Sequence, residues 1–367
     1  MNSMLEKLSD LVEHAQLDAV AFNAGPDLLA FTGLNFHTSE RPAVLFFKPG
    51  RQPVLVCPEF ELGKASKSDI LLDIVNFPEE RVSWVDSFKT ALKKLGLEKG
   101  TIGVSPTSFR MLEYSLCQAA SDECSIVSRA DIFNAMRVQK TQREILSIRK
   151  AIEIAEHALE KTIPIIKVGV TEKEIAAQLT MNLFQCGSDT ELPFSPIVAS
   201  GANSANPHAF PGERTLQKGD VLIIDWGARS EGYISDLTRS FFIGQTNEKM
   251  STIAKIVETA NQASRNSYKA DVTSNDVDFA ARSVIEESGY GKFFTHRTGH
   301  GIGLEAHEEP YIQAGSKTKL KPGMVFTIEP GIYLPGTGGI RIEDNVYITS
   351  DSFETISTIP RNVRVLK

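Results

Sequence analysis

The sequence predicts a mixed α/β (α+β) chain of two domains, residues 1–132 and 133–367, and three observations predict it. Its 367 residues are long for one hydrophobic core, which rarely grows beyond about 250–300 residues. Helical and strand periodicities alternate up to about residue 132. Beyond that point a unit of helix, helix and hairpin occurs twice, about a hundred residues apart.

In the first part, residues 17–22 form an apolar strand pattern. Two further runs, 43–48 and 53–57, flank Pro49-Gly50-Arg51-Gln52, a hairpin signal. An amphipathic helix follows over 82–97, then a short strand over 101–104. No catalytic cluster stands out here, and 131–142 reads as the connection to the second domain.

The second part opens with a capping box, Thr141 to Glu144, ahead of Ile145, Ile148, Ile152, Ala155 and Leu159 on one helical face. Thr171 to Glu174 is another, with Ile175, Leu179 and Leu183 inward and Gly187 placed to end the helix. Strands are expected over 221–226 and 233–243, helices over about 248–268 and 273–288, and strands over 324–329 and 340–348. Two carboxylates sit on each hairpin, so a pseudo-twofold domain with its site where the halves meet is the simplest architecture.

Bulk composition narrows the function. Lys and Arg number 39 against 46 Asp and Glu, a net charge of −7, which argues against non-specific nucleic-acid binding. There is no apolar run of 18 residues, so no membrane-spanning helix is expected. Residues 1–14 are charged and lack an apolar leader, which points to a cytoplasmic protein. Cys57, Cys117, Cys124 and Cys186 show no metal-like spacing and read as reduced thiols.

Five residues carry the chemistry: Asp225, Asp236, His300, Glu329 and Glu343. Asp225 ends the apolar strand 221–224, and a turn centred on Ser230-Glu231 would set it directly opposite Asp236, with Cβ atoms about 5 Å apart. Glu329 ends the apolar run 324–328, before Pro330-Gly331. Period-2 alternation puts Arg341 and Glu343 on the face opposite Ile340 and Ile342. His300 lies among Gly299, Gly301 and Gly303, where the backbone can approach a site closely. Four carboxylates in one pocket repel unless they are protonated or share cations, and two divalent ions would balance them. One imidazole among four carboxylates is an oxygen-rich set that suits Mn²⁺ or Co²⁺, with Zn²⁺ and Fe²⁺ as alternatives.

The stretch 296–310, with His296, Arg297, Gly299, His300, Gly301, Gly303, His307, Glu308 and Pro310, resembles the signature of the prolidase and aminopeptidase P branch of the pita-bread metallopeptidases. The order Asp, Asp, His, Glu, Glu at separations of 11, 64, 29 and 14 is similar to that of short prolidases. The likeness covers the whole chain: a creatinase-type N-terminal domain followed by a pita-bread catalytic domain. It implies that Asp236 and Glu343 contact or bridge two metals, that Asp225 chelates one, and that His300 and Glu329 hold the other. A bridging water is then the nucleophile and Glu329 the proton shuttle. His208 matches the family's substrate-binding histidine, and His307 the one that stabilises the tetrahedral intermediate. His296 matches an outer histidine of the pocket, and Arg341 the arginine that holds the carboxylates in place. The implied substrate is a peptide with proline at its second position, and the implied assembly is a homodimer in which His37 could reach a partner's site.

One departure concerns substrate length. Many strict Xaa-Pro dipeptidases have an arginine after the His-Glu-x-Pro element to clamp the dipeptide carboxylate, and Tyr311 stands there in this chain. A phenol offers one neutral donor where a guanidinium offers a fork, so longer Xaa-Pro peptides become plausible, with Arg297 or Arg341 as compensating cations. Two other readings keep the fold: a metal-dependent hydrolase of a small non-peptide amide, and a non-catalytic binding module. The second conflicts with all five candidate ligands being present.

Overall fold

The computed structural model describes residues 2–367 and divides into two compact units, Met1–Arg137 and Val138–Lys367. Met1, the first residue of the charged N-terminal stretch, lies outside the described residues.

The first unit is built on a six-stranded mixed sheet in the order Asp73–Phe77, Val54–Pro58, Val44–Phe47, Ala19–Asn23, Thr101–Val104, Ser125–Ser128. The 43–57 hairpin forms as expected, with Val44 opposite Val56 and Leu45 opposite Leu55. Its central strands are buried on both faces, which is why they read as continuous apolar runs. Alternate residues supply two separate cores. Val20, Phe22, Leu45 and Phe47 pack with Leu8, Leu28 and Phe31, while Ala21, Val44, Phe46 and Val56 pack with Trp84, Phe88 and Leu92.

The stretch read as a connection is largely helical. Ala130–Arg137 is a helix that buries Ile132, Phe133 and Met136 against the first of those cores. Its apolar spacing was present in the sequence but sits among charged residues. The helix belongs to the first unit and runs past residue 132.

In the second unit the paired helices are Gln142–Thr162 with Glu172–Gln185, and Glu248–Arg265 with Ser274–Glu287. Both expected capping boxes form, Thr141 with Glu144 and Thr171 with Glu174. A third, Thr273 with Asp276, opens the last of these helices. One sheet has the order Arg364–Leu366, Leu237–Ile243, Val221–Trp226, Ile197–Ser200. The other runs Glu308–Ile312, Gly299–Gly301, Val325–Ile328, Asp344–Ile348, Phe353–Thr355. Each helix pair thus accompanies one antiparallel hairpin, the pseudo-twofold pattern of a pita-bread domain. The sheets meet at a bridge between Thr238 and Glu343, where the Glu343 amide donates to the Thr238 carbonyl at 3.1 Å.

Two expected strands are interrupted, each at a site carboxylate. The run expected over 233–243 breaks at Ser235-Asp236. The run expected over 340–348 breaks at Ile342-Glu343, between Gly338–Arg341 and Asp344–Ile348. The hairpin register also differs from expectation. Asp225 lies opposite Thr238, because the turn centres on Glu231-Gly232. Both of those residues have positive φ, 51° and 82°, the two-residue turn that matches strand twist and favours glycine second. Asp225 and Asp236 keep the same face but become diagonal neighbours, about 7–8 Å apart by ordinary strand spacing.

Candidate metal and active site

All five candidate ligands line one cavity of about 700 Å³ within the second unit. Asp225 comes from the strand Val221–Trp226 and His300 from Gly299–Gly301, while Asp236, Glu329 and Glu343 sit at strand ends or breaks. His300 can stand there because Gly299 passes so close to the next strand that a Cβ would lie 1.9 Å from the Thr327 carbonyl oxygen.

Asp236, His300 and Glu343 offer ligand atoms that all lie within 4.8 Å of one another. His300 Nε2 is 3.8 Å from Asp236 Oδ2 and 3.3 Å from Glu329 Oε1. Hydrogen bonds fix the Asp236 backbone and the Glu329 carboxylate. The Asn345 amide clamps the Asp236 peptide, accepting from its N–H at 3.3 Å and donating to its carbonyl at 2.5 Å. Thr327 Oγ1 accepts from the His300 amide at 3.1 Å and donates to Glu329 Oε1 at 3.4 Å.

Arg341 organises the opposite wall and is only 3% exposed. Its Nη2 donates to Asp225 Oδ2 at 2.7 Å, its Nη1 to the Tyr333 hydroxyl at 2.9 Å, and its Nε to Thr238 Oγ1 at 3.1 Å. Thr238 Oγ1 in turn donates to Glu343 Oε2 at 2.7 Å. The network fixes the His296 tautomer. Its Nδ1 lies 2.7 Å from the Arg297 carbonyl, which can only accept, so Nδ1 carries the proton. Nε2 therefore accepts from the Tyr333 hydroxyl at 2.8 Å. Every donor from Arg341 to His296 has one acceptor, and that order holds Asp225 in place.

Electrostatics show why this arrangement needs more than protein atoms. Four carboxylates, Asp236 and Glu343 buried and Asp225 and Glu329 half-buried, share one buried guanidinium, and it pairs directly with Asp225 alone. Burial, reinforced by Glu343 and Asp225, pushes the Asp236 carboxyl well above its ordinary range. Burial also pushes Glu343 well up, with Glu329 and Asp225 adding to it. Asp225 is raised by burial against the pull of Arg341. Glu329 differs: burial raises it, but its hydrogen bond with His300 and nearby cationic groups outweigh that and hold it at about 2. Asp225 Oδ1 is buried and has no hydrogen-bond partner. An orphaned carboxylate oxygen beside a converging Asp, His and Glu fits divalent cations and little else.

The remaining sequence-predicted residues are placed as follows. His296 and His307 line the cavity, and so does His208, on an exposed loop. His307 packs edge-on against His300 with ring centroids 4.1 Å apart. Partial desolvation, with His300 and Arg297 nearby, lowers its imidazole to about 4. Tyr311 does not line the cavity; its ring lies beneath Arg297, whose Cζ is 4.3 Å from the ring centroid. Tyr333, Thr238 and Asn345 were not singled out by sequence, since each is an ordinary residue of a strand with no motif around it. Phe194, Pro196, Ile197 and Phe210 give the cavity an apolar side.

A cavity where four acids and His300 converge, on a duplicated helix–hairpin fold, defines a metallopeptidase of the pita-bread type. Residues 147–350 match the model of metallopeptidase family M24, and residues 4–139 match the creatinase/prolidase N-terminal domain. The chain belongs to family M24. It is 34% identical over 366 residues to an Xaa-Pro dipeptidase of Pyrococcus horikoshii, covering 99% of each chain. It is 32% identical to an Xaa-Pro dipeptidase of Lactobacillus delbrueckii subsp. lactis, covering 99% of this chain and 98% of that one. Among solved structures it resembles a Pyrococcus horikoshii dipeptidase, with a TM-score of 0.92, 32% identity and coverage of 99% and 100%. An X-Pro aminopeptidase of Thermotoga maritima matches with a TM-score of 0.84 and 32% identity, covering 97% and 100%.

Proposed function

We propose that this chain hydrolyses the bond between an N-terminal residue and a following proline, using divalent cations held by Asp225, Asp236, His300, Glu329 and Glu343. The observation that carries the reading is the convergence of those five side chains on one cavity in a chain similar over its full length to Xaa-Pro dipeptidases. The small-amide alternative has no such support among these relatives. An oxygen-rich set with one imidazole favours Mn²⁺ or Co²⁺. Cations bound there would supply Lewis acidity toward the peptide carbonyl and make a water a strong nucleophile at neutral pH.

The protein's own residues do the rest. Glu329 Oε1, held by Thr327 and His300, takes a proton from the attacking water. It returns that proton to the proline nitrogen as the C–N bond breaks, and the second proton of the water passes from the new carboxyl to the amine, leaving a carboxylate on the first residue and a protonated secondary amine on proline. Neutral His307 donates its one N–H to the carbonyl oxygen as negative charge develops. Arg341, through Asp225 and Thr238, keeps the carboxylates in register, and Tyr333 with His296 locks Arg341. His208 and the apolar side, with Phe194 and Phe210, receive the peptide.

A homodimer in the cytoplasm is the setting this reading implies, and four free cysteines, three of them buried, suit a reducing compartment. Among the described residues no helix is long and apolar enough to cross a membrane. The reading is tested by comparing Xaa-Pro dipeptides, Xaa-Pro-Yaa tripeptides and a small non-peptide amide under Mn²⁺ and Co²⁺. Cleavage of the amide alone would overturn it.

A further inference from the structure

The loop that leaves the strand Ile197–Ser200 carries His208 and Phe210 to the cavity. Both are exposed, Phe210 by 86%, and among the described residues the His208 ring makes no hydrogen bond. Pro207 and Pro211 bracket this tip and stiffen it, so its position is inherited from the two limbs of the loop. One tie reaches the tip itself, a long bond from Arg341 Nη1 to the Pro207 carbonyl at 3.4 Å.

Glu172 joins the limbs. It opens the helix Glu172–Gln185 and is 1% exposed. Its Oε1 accepts from the Ser200 amide at 2.7 Å and from the Ser200 hydroxyl at 2.8 Å. Its Oε2 accepts from the Gly212 amide at 3.1 Å, and the Asn203 side-chain amide reaches both oxygens, at 3.2 and 3.0 Å. Arg214, paired with Asp220, donates to the Ser200 hydroxyl and leaves that hydroxyl's proton for Glu172. The outgoing limb at Ser200 and Asn203 and the returning limb at Gly212 therefore meet on one carboxylate. Its helix does not need it as a cap, because Thr171 and Glu174 already form the capping box. Only an acceptor-only group suits the place. A glutamine would turn its NH₂ toward donors that have no other partner there.

We propose that Glu172 is a positioning residue for the reaction: by clamping both limbs of the loop, it sets His208 against the bound peptide. The proposal rests on the Xaa-Pro reading for the peptide that His208 meets, and it goes beyond that reading by giving a role to a side chain that does not line the cavity.

The test is Glu172→Gln, metal-loaded and assayed on an Xaa-Pro dipeptide. KM should rise about 3- to 10-fold with kcat held within about twofold, as for loss of one hydrogen bond to the substrate. Loss of part of the folded protein would instead lower kcat and leave KM unchanged, and that result would overturn the assignment. In a His208→Ala background the same substitution should add little to KM, whereas full additivity would separate Glu172 from His208 and refute the proposal. Asn203→Ala removes one donor to the clamp and should raise KM about twofold, which keeps the test readable if Glu172→Gln does not fold; an unchanged KM in it would then count against the proposal. Hydrogen exchange reads the clamp without turnover. In Glu172→Gln the amides of Ser200 and Gly212 should exchange about tenfold faster, with Gly299–Gly301 unaffected, and unchanged exchange at both would refute the clamp. Wild-type enzyme that cleaves no Xaa-Pro peptide would sink the substrate reading alone, with exchange still deciding whether Glu172 holds the loop.

Discussion

Glu343→Gln should stabilise the metal-free protein while weakening its response to metal. Glu343 is 2% exposed, and among the described residues its carboxylate accepts a single hydrogen bond, from Thr238. Glutamine keeps the shape and still accepts that bond, but it carries no charge beside Glu329 and Asp225. Replacing a poorly compensated buried charge with a neutral group of similar size stabilises by about 1–4 kcal/mol. The sign depends on pH. The Glu343 carboxyl is held above its ordinary value near 4.5, so below about pH 4.5 it is protonated folded or unfolded and the charge penalty is absent. The penalty grows as pH rises from there toward the folded value. Urea unfolding in EDTA should therefore show the variant with the higher midpoint at pH 7.5 and a narrowing gap toward pH 4.5. With Mn²⁺ the order should reverse, since ligand at a thousandfold excess over Kd stabilises by about 4 kcal/mol and the variant forfeits much of that. A variant less stable than wild type in EDTA, or one gaining as much from Mn²⁺, would refute the reasoning.

Tyr333→Phe removes a hydroxyl that links Arg341 to His296 while keeping the buried ring. It should cost about 2–3 kcal/mol in urea unfolding and lower metal affinity about tenfold or more by freeing Arg341 from its tie. Asp344 lies behind the site, accepting from Arg239, Arg361, Ser357 and Asn261. Burial raises its carboxyl, but Arg239 and Arg361 outweigh that and hold it at about 2 against an ordinary 3.8. That depression is worth about 2 kcal/mol of stability, fully present above pH 4 and lost as pH falls through 2. Asp344→Asn should lower stability by about 3–5 kcal/mol at pH 7, with a smaller deficit near pH 2, read from urea midpoints across that range.

The parts legible in sequence were those with a local signature. Capping boxes at Thr141 and Thr171 announced two helices, and the glycine-framed His300 announced a site that helix geometry could not supply. The turn centre was misjudged by one residue, and the register therefore by two, because Glu231 takes a positive φ without being glycine, which moved the turn onto Gly232. Parity survived the slip, so the two aspartates still share a face. Arg341 could be anticipated from its alternation with Glu343, but Tyr333 could not. Its role comes from Gly331–Leu334 folding back on Gly338–Arg341, a pairing that leaves no mark on composition. Helix Ala130–Arg137 was overlooked because it is only eight residues long and its three buried apolar residues alternate with Asp131, Asn134 and Arg137. Tyr311 read as the loss of a cation, since its packing against Arg297, from the loop before Gly299–Gly301, is a tertiary contact.

The most direct measurement is the metal content of the protein equilibrated with Mn²⁺ or Co²⁺, freed of excess ion and assayed on an Xaa-Pro dipeptide in the same preparation. Two ions per chain, with turnover lost as they are stripped and regained as they return, is the expected result. Full turnover by a chain carrying no divalent ion would contradict the reading of the four converging carboxylates as a cation cradle.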